Sequence, residues 1–278
     1  MYFDTHAHIN FKAFKDDSLE VLQKSLDDDI WVVNVGSRYS TSQRAVEFAQ
    51  KFEEGIYAAV GLHPVHLREI DVVLENGFSF KSRVEEFDYD QYKKLALNEK
   101  VVAIGECGLD YAGLDKFGLD IDVVKKFQAK IFRQQIKLAT ELGLPLIIHC
   151  REAEDDLVKV LHDKLKDVQA NGAVAHCFMG DEKIAQFYID NDLYLSFTTL
   201  ILYNRQWDEI IKRIPLEKIL TETDSPYFLP PAMKGKRNEP VNVKYVVQRI
   251  ARIKNLDEAW VAEVTFNNAL KFFKLSKK

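Results

Sequence analysis

Apolar residues in this chain fall into two alternating patterns. Short runs rich in β-branched and aromatic residues, such as IWVVNV at Ile30 to Val35, are separated by longer stretches in which apolar side chains recur at helical steps, as at Val123, Phe127, Ile131 and Leu138. The first pattern predicts strands buried on both faces; the second predicts helices laid against them. Eight short runs can be counted: Met1 to Thr5, Ile30 to Val35, Ile56 to Gly61, Val101 to Glu106, Leu144 to Cys150, Gly172 to Cys177, Asp192 to Phe197 and Lys218 to Thr223. Eight strands alternating with helices predict an α/β fold of the TIM-type (β/α)8 barrel class. No linker, low-complexity segment or repeat beyond the βα period interrupts it, so residues 1–278 are read as one domain with Ser276 to Lys278 a frayed tail.

Two connections depart from the regular period. The stretch from His63 to Val101 is long and carries Phe78, Phe80, Phe87 and Tyr89, which predicts extra helix over the barrel mouth. Val241 to Leu275 predicts one or two helices packed on the outside.

Composition narrows the class. With 278 residues, 47% of them hydrophobic, the chain can bury one large core. No apolar run reaches membrane-spanning length, and the start MYFDTHAHIN lacks the features of a signal peptide, so a cytoplasmic protein with no membrane role is expected. The three cysteines, Cys107, Cys150 and Cys177, are too few and too widely spaced for a disulfide framework. Strand alternation turns them away from the histidines beside them, as small buried residues against the outer helices. A net charge of −5 gives no global field for nucleic acid, so a phosphate substrate must be held by a local cluster or by metal. No obligate protein partner is evident.

Parallel barrels carry their chemistry at the C-terminal strand ends. His6 and His8, two apart on a strand, share a face and can grip one cation. Of seven histidines, five (His6, His8, His63, His149 and His176) fall at predicted strand ends, with His66 and His162 read as ordinary surface or boundary residues. Four histidines with Glu106 and Asp224 suffice to hold two divalent ions and to activate water for hydrolysis, with zinc, manganese or magnesium as candidates. The simpler alternatives are a pair of buried polar histidines, a helix-anchoring Glu106, and an Asp224 that caps the turn at Ser225-Pro226.

The motifs DTHAH (Asp4 to His8), GLHP (Gly61 to Pro64), GECGLDY (Gly105 to Tyr111), IIHCR (Ile147 to Arg151), HCF (His176 to Phe178), TETDSP (Thr221 to Pro226) and RNEP (Arg237 to Pro240) occur in this order. Together they resemble the TatD family of metal-dependent deoxyribonucleases within the amidohydrolase superfamily, over nearly the whole chain. The resemblance implies that His6, His8 and Asp224 bind one metal, that Glu106 bridges, and that His149 and His176 bind the second. It further implies a 3′–5′ exonuclease acting on single-stranded DNA without sequence preference, in which a metal-bound hydroxide attacks while Asp224 helps to accept the proton. Related hydrolases with a carboxylated lysine on the fourth strand differ, because Glu106 stands there. The segment Val72 to Asp90 is longer than the family usually shows, and Ser196 to Thr199 lacks the glycine often found after that strand.

Substrate contacts are expected from His63, which otherwise reads as a packed histidine, and from Arg151, which shares a face with His149 and can fork onto phosphate. The basic loop holding Lys236 and Arg237 would offer backbone-phosphate contacts, and Tyr111, Tyr203 and Trp207 are placed to stack on bases. Two rival readings keep the metals. One changes the substrate to a small ester, an amide or an aminoacyl-tRNA ester; the other is a non-catalytic metal-containing binding protein.

Overall fold

In the computed structural model, the residues described are 1–67, 71–73, 79–81, 84–114, 120–231, 233 and 237–277. The eight apolar runs become β1 (Tyr2–Ala7), β2 (Ile30–Val35), β3 (Ile56–Val60), β6 (Val101–Asp110), β7 (Leu146–Arg151), β8 (Ala173–Ala175), β9 (Tyr194–Phe197) and β10 (Ile219–Thr221), with a hairpin β4 (Asp71–Val73) and β5 (Ser79–Lys81) between β3 and β6. The eight form one sheet in the order β1-β2-β3-β6-β7-β8-β9-β10, each paired parallel to the next. The ring closes between first and last strands: Ala7 bridges Ser225, and His8 N–H donates to the Ser225 carbonyl at 2.7 Å. Thr5 Oγ1 donates to the Thr221 carbonyl and Thr221 Oγ1 to that of Phe3, each at 3.1 Å. The fold is a TIM-type (β/α)8 barrel.

Helices follow the strands: α1 (Ser18–Asp27), α2 (Tyr39–Ala49), α3 (Tyr89–Ala96), α4 (Ile121–Leu142), α5 (Glu154–Asp163), α6 (Leu165–Asn171), α7 (Glu182–Asp190), α8 (Asp208–Arg213), α9 (Val243–Lys254) and α10 (Glu258–Phe272). Their ends are written in the sequence. Asp120 caps α4 by accepting from the N–H groups of Asp122 and Val123, and Gly143, at φ 67°, ends it in the left-handed conformation a side chain disfavours.

The strands have two apolar faces. Outward residues such as Ile30, Ile56, Ile104 and Ile148 pack under the helices; inward residues such as Val33, Ala59, Val102, Ile147, Val174 and Leu220 fill the barrel. The inner cluster also contains Phe266, Ala269 and Phe272 of α10, with Phe266 against Phe3 and Trp31 and Phe272 against Tyr194. The C-terminal helix therefore plugs the barrel floor rather than lying outside as expected, because its aromatic residues complete an interior the strands alone leave open. The extra helix differs from expectation too: α3 packs beside α4 and β3 in the outer layer, through Tyr92, Phe87 and Tyr89. Phe78 and Lys278 lie outside the described residues.

Candidate metal centre

Two local irregularities aim the side chains at the barrel mouth. Between Asp4 and Ala7, β1 advances three residues while β2 advances two, from Val32 to Asn34. Phe3 and Thr5 point inward, and the extra residue turns His6 and His8 inward after them, where strict alternation would send both outside. The same happens on β6, where Ile104 to Cys107 faces Leu146 to Ile148 and Glu106 ends on the inner face. On β7 simple alternation holds, placing His149 and Arg151 inside. Gly108 permits the close approach of these strands, since a Cβ there would meet the His149 carbonyl oxygen at 2.0 Å. After β10 the chain turns at Asp224 with φ 54°, anchored by Asp4, whose carboxylate accepts from Thr223 N–H at 2.9 Å and Thr223 Oγ1 at 2.6 Å.

The structure thereby brings His6, His8, Glu106, His149, His176 and Asp224 into one buried cluster. Its organising group is Glu106, whose two oxygens face different partners. Oε2 lies 3.6 Å from His6 Nε2 and 3.7 Å from His8 Nε2. Oε1 lies 2.9 Å from His149 Nδ1, 3.3 Å from His63 Nε2 and 3.6 Å from His176 Nε2. Asp224 Oδ1 stands 3.3 Å from His8 Nε2 and 3.7 Å from His6 Nε2. His6, His8 and Glu106 form one trio able to hold a cation, and Glu106, His149 and His176 another.

The far ring nitrogens decide which imidazoles present a lone pair. His8 Nδ1 lies 2.8 Å from the Val35 carbonyl, which fixes its proton there and leaves Nε2 free to ligate. His149 Nε2 is 3.2 Å from Asp110, and His176 Nδ1 is 2.8 Å from Glu222. His63 is the opposite case. Its Nδ1 accepts from Val65 N–H at 3.0 Å, so the neutral ring carries its proton on Nε2, 3.3 Å from Glu106 Oε1.

Electrostatics follow this division. Burial, with His176 nearby, lowers the His6 pKa to about 4, and burial also lowers that of His63. Burial opposes charge on His149 and His176 as well, but the carboxylates of Asp110 and Glu106 raise the former to about 9, and Glu222 with Asp224 and Glu106 raises the latter to about 10. Burial likewise opposes ionisation of Glu106 and Asp110, and the imidazoles win: Glu106 is held well below the usual carboxylate range, Asp110 at about 2.

The cluster opens into a cavity of about 1200 Å³ that His63, Arg151 and Arg237 also line. Arg151 Nε is 3.6 Å from Asp110 Oδ1, a partner other than the Glu152 or Asp155 that a local salt bridge would use. Arg237 is clamped by Asp17 and Glu239 over the Phe14 ring, so most of its charge is already answered. Lys236 lies outside the described residues. Tyr111 differs from its expected place: its hydroxyl donates to Asp156 at 3.3 Å, its ring packs in the outer core, and Lys125 sits over it. Trp207 is buried in that core, while Tyr203 is half exposed.

Several residues at the site were not singled out by sequence reasoning. Asp110 closes the GECGLD motif, Glu222 sits two before Asp224, and Asp4 begins DTHAH; each is a carboxylate inside a motif that already holds a site residue, which is the signal that could have found them. His66, read as an ordinary surface or boundary residue, is buried on the cavity wall with Nε2 3.3 Å from Ser37 Oγ. Cys177 also departs from expectation: at φ 44° it leaves the strand alternation and lines the cavity beside Thr198, and Cys150 reaches the cavity edge. Cys107 is buried against the outer layer as expected.

Comparison with known proteins places this geometry in context. The sequence signature of the family described as TatD related DNase matches residues 3–274. The chain is 38% identical over 279 residues to the uncharacterized metal-dependent hydrolase YabD of Bacillus subtilis, covering 99% of this chain and 100% of that one. It is 29% identical over 279 residues to the 3′-5′ ssDNA/RNA exonuclease TatD of Escherichia coli, covering 98% of each. Among solved structures, the TatD homolog YjjV of Escherichia coli superposes with a TM-score of 0.82 at 25% identity, covering 99% of this chain and 98% of that one. No helix among the described residues is long and apolar enough to cross a membrane.

Proposed function

Because the chain belongs to the TatD related DNase family of metal-dependent hydrolases, we propose that it hydrolyses phosphodiester bonds in single-stranded DNA from the 3′ end, using two divalent cations. The observation that carries this reading is the split of Glu106: one carboxylate, buried, with Oε2 toward the His6 and His8 nitrogens and Oε1 toward those of His149 and His176. A carboxylate so divided fits a bridge between two cations, and the donor set of imidazoles and carboxylates suits zinc or manganese, with magnesium where water fills the rest.

His6, His8 and Asp224 would hold one ion, His149 and His176 the other, with Glu106 shared. When bound, such a pair supplies a low-pKa water and charge to offset both the attacking and leaving oxygens. The chain's own groups do the rest. Asp224, whose Oδ1 lies beside His8 and His6, would accept the proton that water loses. His63, donating from Nε2, and Arg151, held by Asp110, line the cavity where the non-bridging phosphate oxygens would lie. Strand direction and substrate type come from the exonuclease relatives, named as acting on ssDNA and RNA.

The test is metal analysis joined to a substrate panel of single-stranded DNA, a chromogenic phosphodiester and an aminoacyl ester. Two ions per chain and 3′-to-5′ degradation are expected, both abolished by Glu106→Ala. Turnover of the ester alone would exclude the nuclease reading.

A further inference from the structure

The cavity around the cluster has two unlike walls, and the strand order sets them opposite each other. In a ring ordered β1-β2-β3-β6-β7-β8-β9-β10, the loops after β8 and β9 face those after β2 and β3 across the mouth. The wall over β1 and β2 is polar and cationic. Lys12 comes from the turn after β1, and Arg38 and Arg44 come from the start and first turns of α2, where Thr41, Arg44 and Phe48 share the face that borders the cavity. Arg44 is fixed by donating to the Asn10 carbonyl at 2.7 Å. Lys12 and Arg38 form no ion pair among the described residues, unlike Arg237, which Asp17 and Glu239 hold. Lys12, Arg38 and Arg44 outnumber Glu47, the acidic residue that lines the same wall one turn along α2 from Arg44, which leaves a local excess of positive charge in a chain of net charge −5.

The opposite wall is apolar. Met179 follows β8 and Leu200 follows β9; Phe228 follows β10, beside β1 rather than across from it, and its carbonyl is tied down by Thr199 Oγ1 and Asn238. Met179 is exposed to the cavity mouth although it is a large apolar residue. The cluster lies between these walls.

We propose that the cavity orients a nucleic-acid strand across the cluster, the sugar-phosphate chain running over Lys12, Arg38 and Arg44 and the terminal base resting against Met179 and Leu200. This assignment rests on the phosphodiesterase reading above and adds a direction to it. Arginine and lysine on one side hold backbone phosphate without reading sequence, and an apolar wall on the other accepts any base. The phosphate at the cluster is then the one joining the last nucleotide to the rest.

The test uses the full-length, manganese-loaded enzyme and two substrates: a single-stranded oligodeoxynucleotide, and bis(p-nitrophenyl) phosphate, which has neither a second phosphate nor a base. For Lys12→Ala and Arg38→Ala, the ratio of kcat/KM on the oligonucleotide to that on the small diester should fall about tenfold each, and the salt dependence should flatten by about one per lost phosphate contact. Met179→Ala should lower the preference for a terminal thymidine over a terminal abasic sugar by about fivefold. Lys130→Ala, on the exposed face of α4, is the control and should leave every ratio unchanged. Equal losses on both substrates, or unchanged ratios and salt slope, would overturn the assignment while leaving the nuclease reading intact. A wild-type enzyme that hydrolyses the small diester but not the oligonucleotide would overturn both.

Discussion

Glu222 touches no predicted substrate atom, yet it sets up half of the cluster. Its Oε1 lies 2.8 Å from His176 Nδ1 and accepts Cys177 N–H at 2.7 Å, with both side chains sealed from solvent. Glu222→Gln keeps the shape and an amide oxygen for Cys177 but removes the charge behind the imidazole. In a buried setting a charge-assisted contact exceeds a neutral one by about 1 to 2 kcal/mol, and outer-shell partners of metal-binding histidines typically change affinity about 10- to 100-fold. Calorimetric titration of zinc or manganese into metal-free protein should resolve two binding steps in the wild type. In Glu222→Gln only one step should weaken, by about 10- to 100-fold, and the His176 ring, raised to about 10 in the wild type, should titrate lower by NMR. Uniform weakening of both steps would refute the division of the cluster. Complete loss of one step would show instead that Glu222 is itself a ligand.

Three more outcomes are expected. His63→Ala should retain metal stoichiometry while reducing turnover, because His63 donates a proton-bearing nitrogen rather than a lone pair; loss of an ion by elemental analysis would contradict that. Phe272→Ala should destabilise by about 3 to 5 kcal/mol in denaturant unfolding, as a fully buried aromatic lost from a core does, and leave kcat of the folded enzyme near normal. Alkaline pH should unfold the protein: Tyr92 and Tyr188 are buried and their pKa values are pushed upward chiefly by desolvation. A folded-state pKa above the unfolded one means that stability is full below about pH 10 and falls above it, by up to about 1.4 kcal/mol per pH unit for each such tyrosine. Tyrosinate absorbance that appears well before the loss of circular dichroism would argue against it.

The barrel was legible in the chain because its signals are local. Eight apolar runs gave eight strands, and the histidines two apart on β1 face one way as alternation requires. What alternation alone misses is parity. Counting from the inward Phe3 puts His6 on the outside, and only the extra residue in the pairing of β1 with β2 reverses it. The role of His63 was undecidable from sequence, since it turns on one hydrogen bond from the Val65 backbone. Cys177 escaped because a left-handed residue ends the strand just there. The misplacement of α10 was avoidable. Val261, Ala262, Thr265, Phe266, Ala269 and Phe272 give this helix a broad buried face opposite a narrow exposed stripe of Trp260, Glu263, Asn267 and Lys271, a pattern that fits deeper burial than an outer helix needs.

That helix ties the two ends of the polypeptide into one act of folding. Phe3, among the first residues to be synthesised, finds Phe266 and Phe273 as its lasting neighbours only after almost everything between them has been made. An emerging chain must therefore carry an unsealed barrel floor, with greasy surface in view, until translation is nearly over. A ribosome-stalled intermediate that stops before residue 266 should bind hydrophobic dyes and chaperones, and release should quench both.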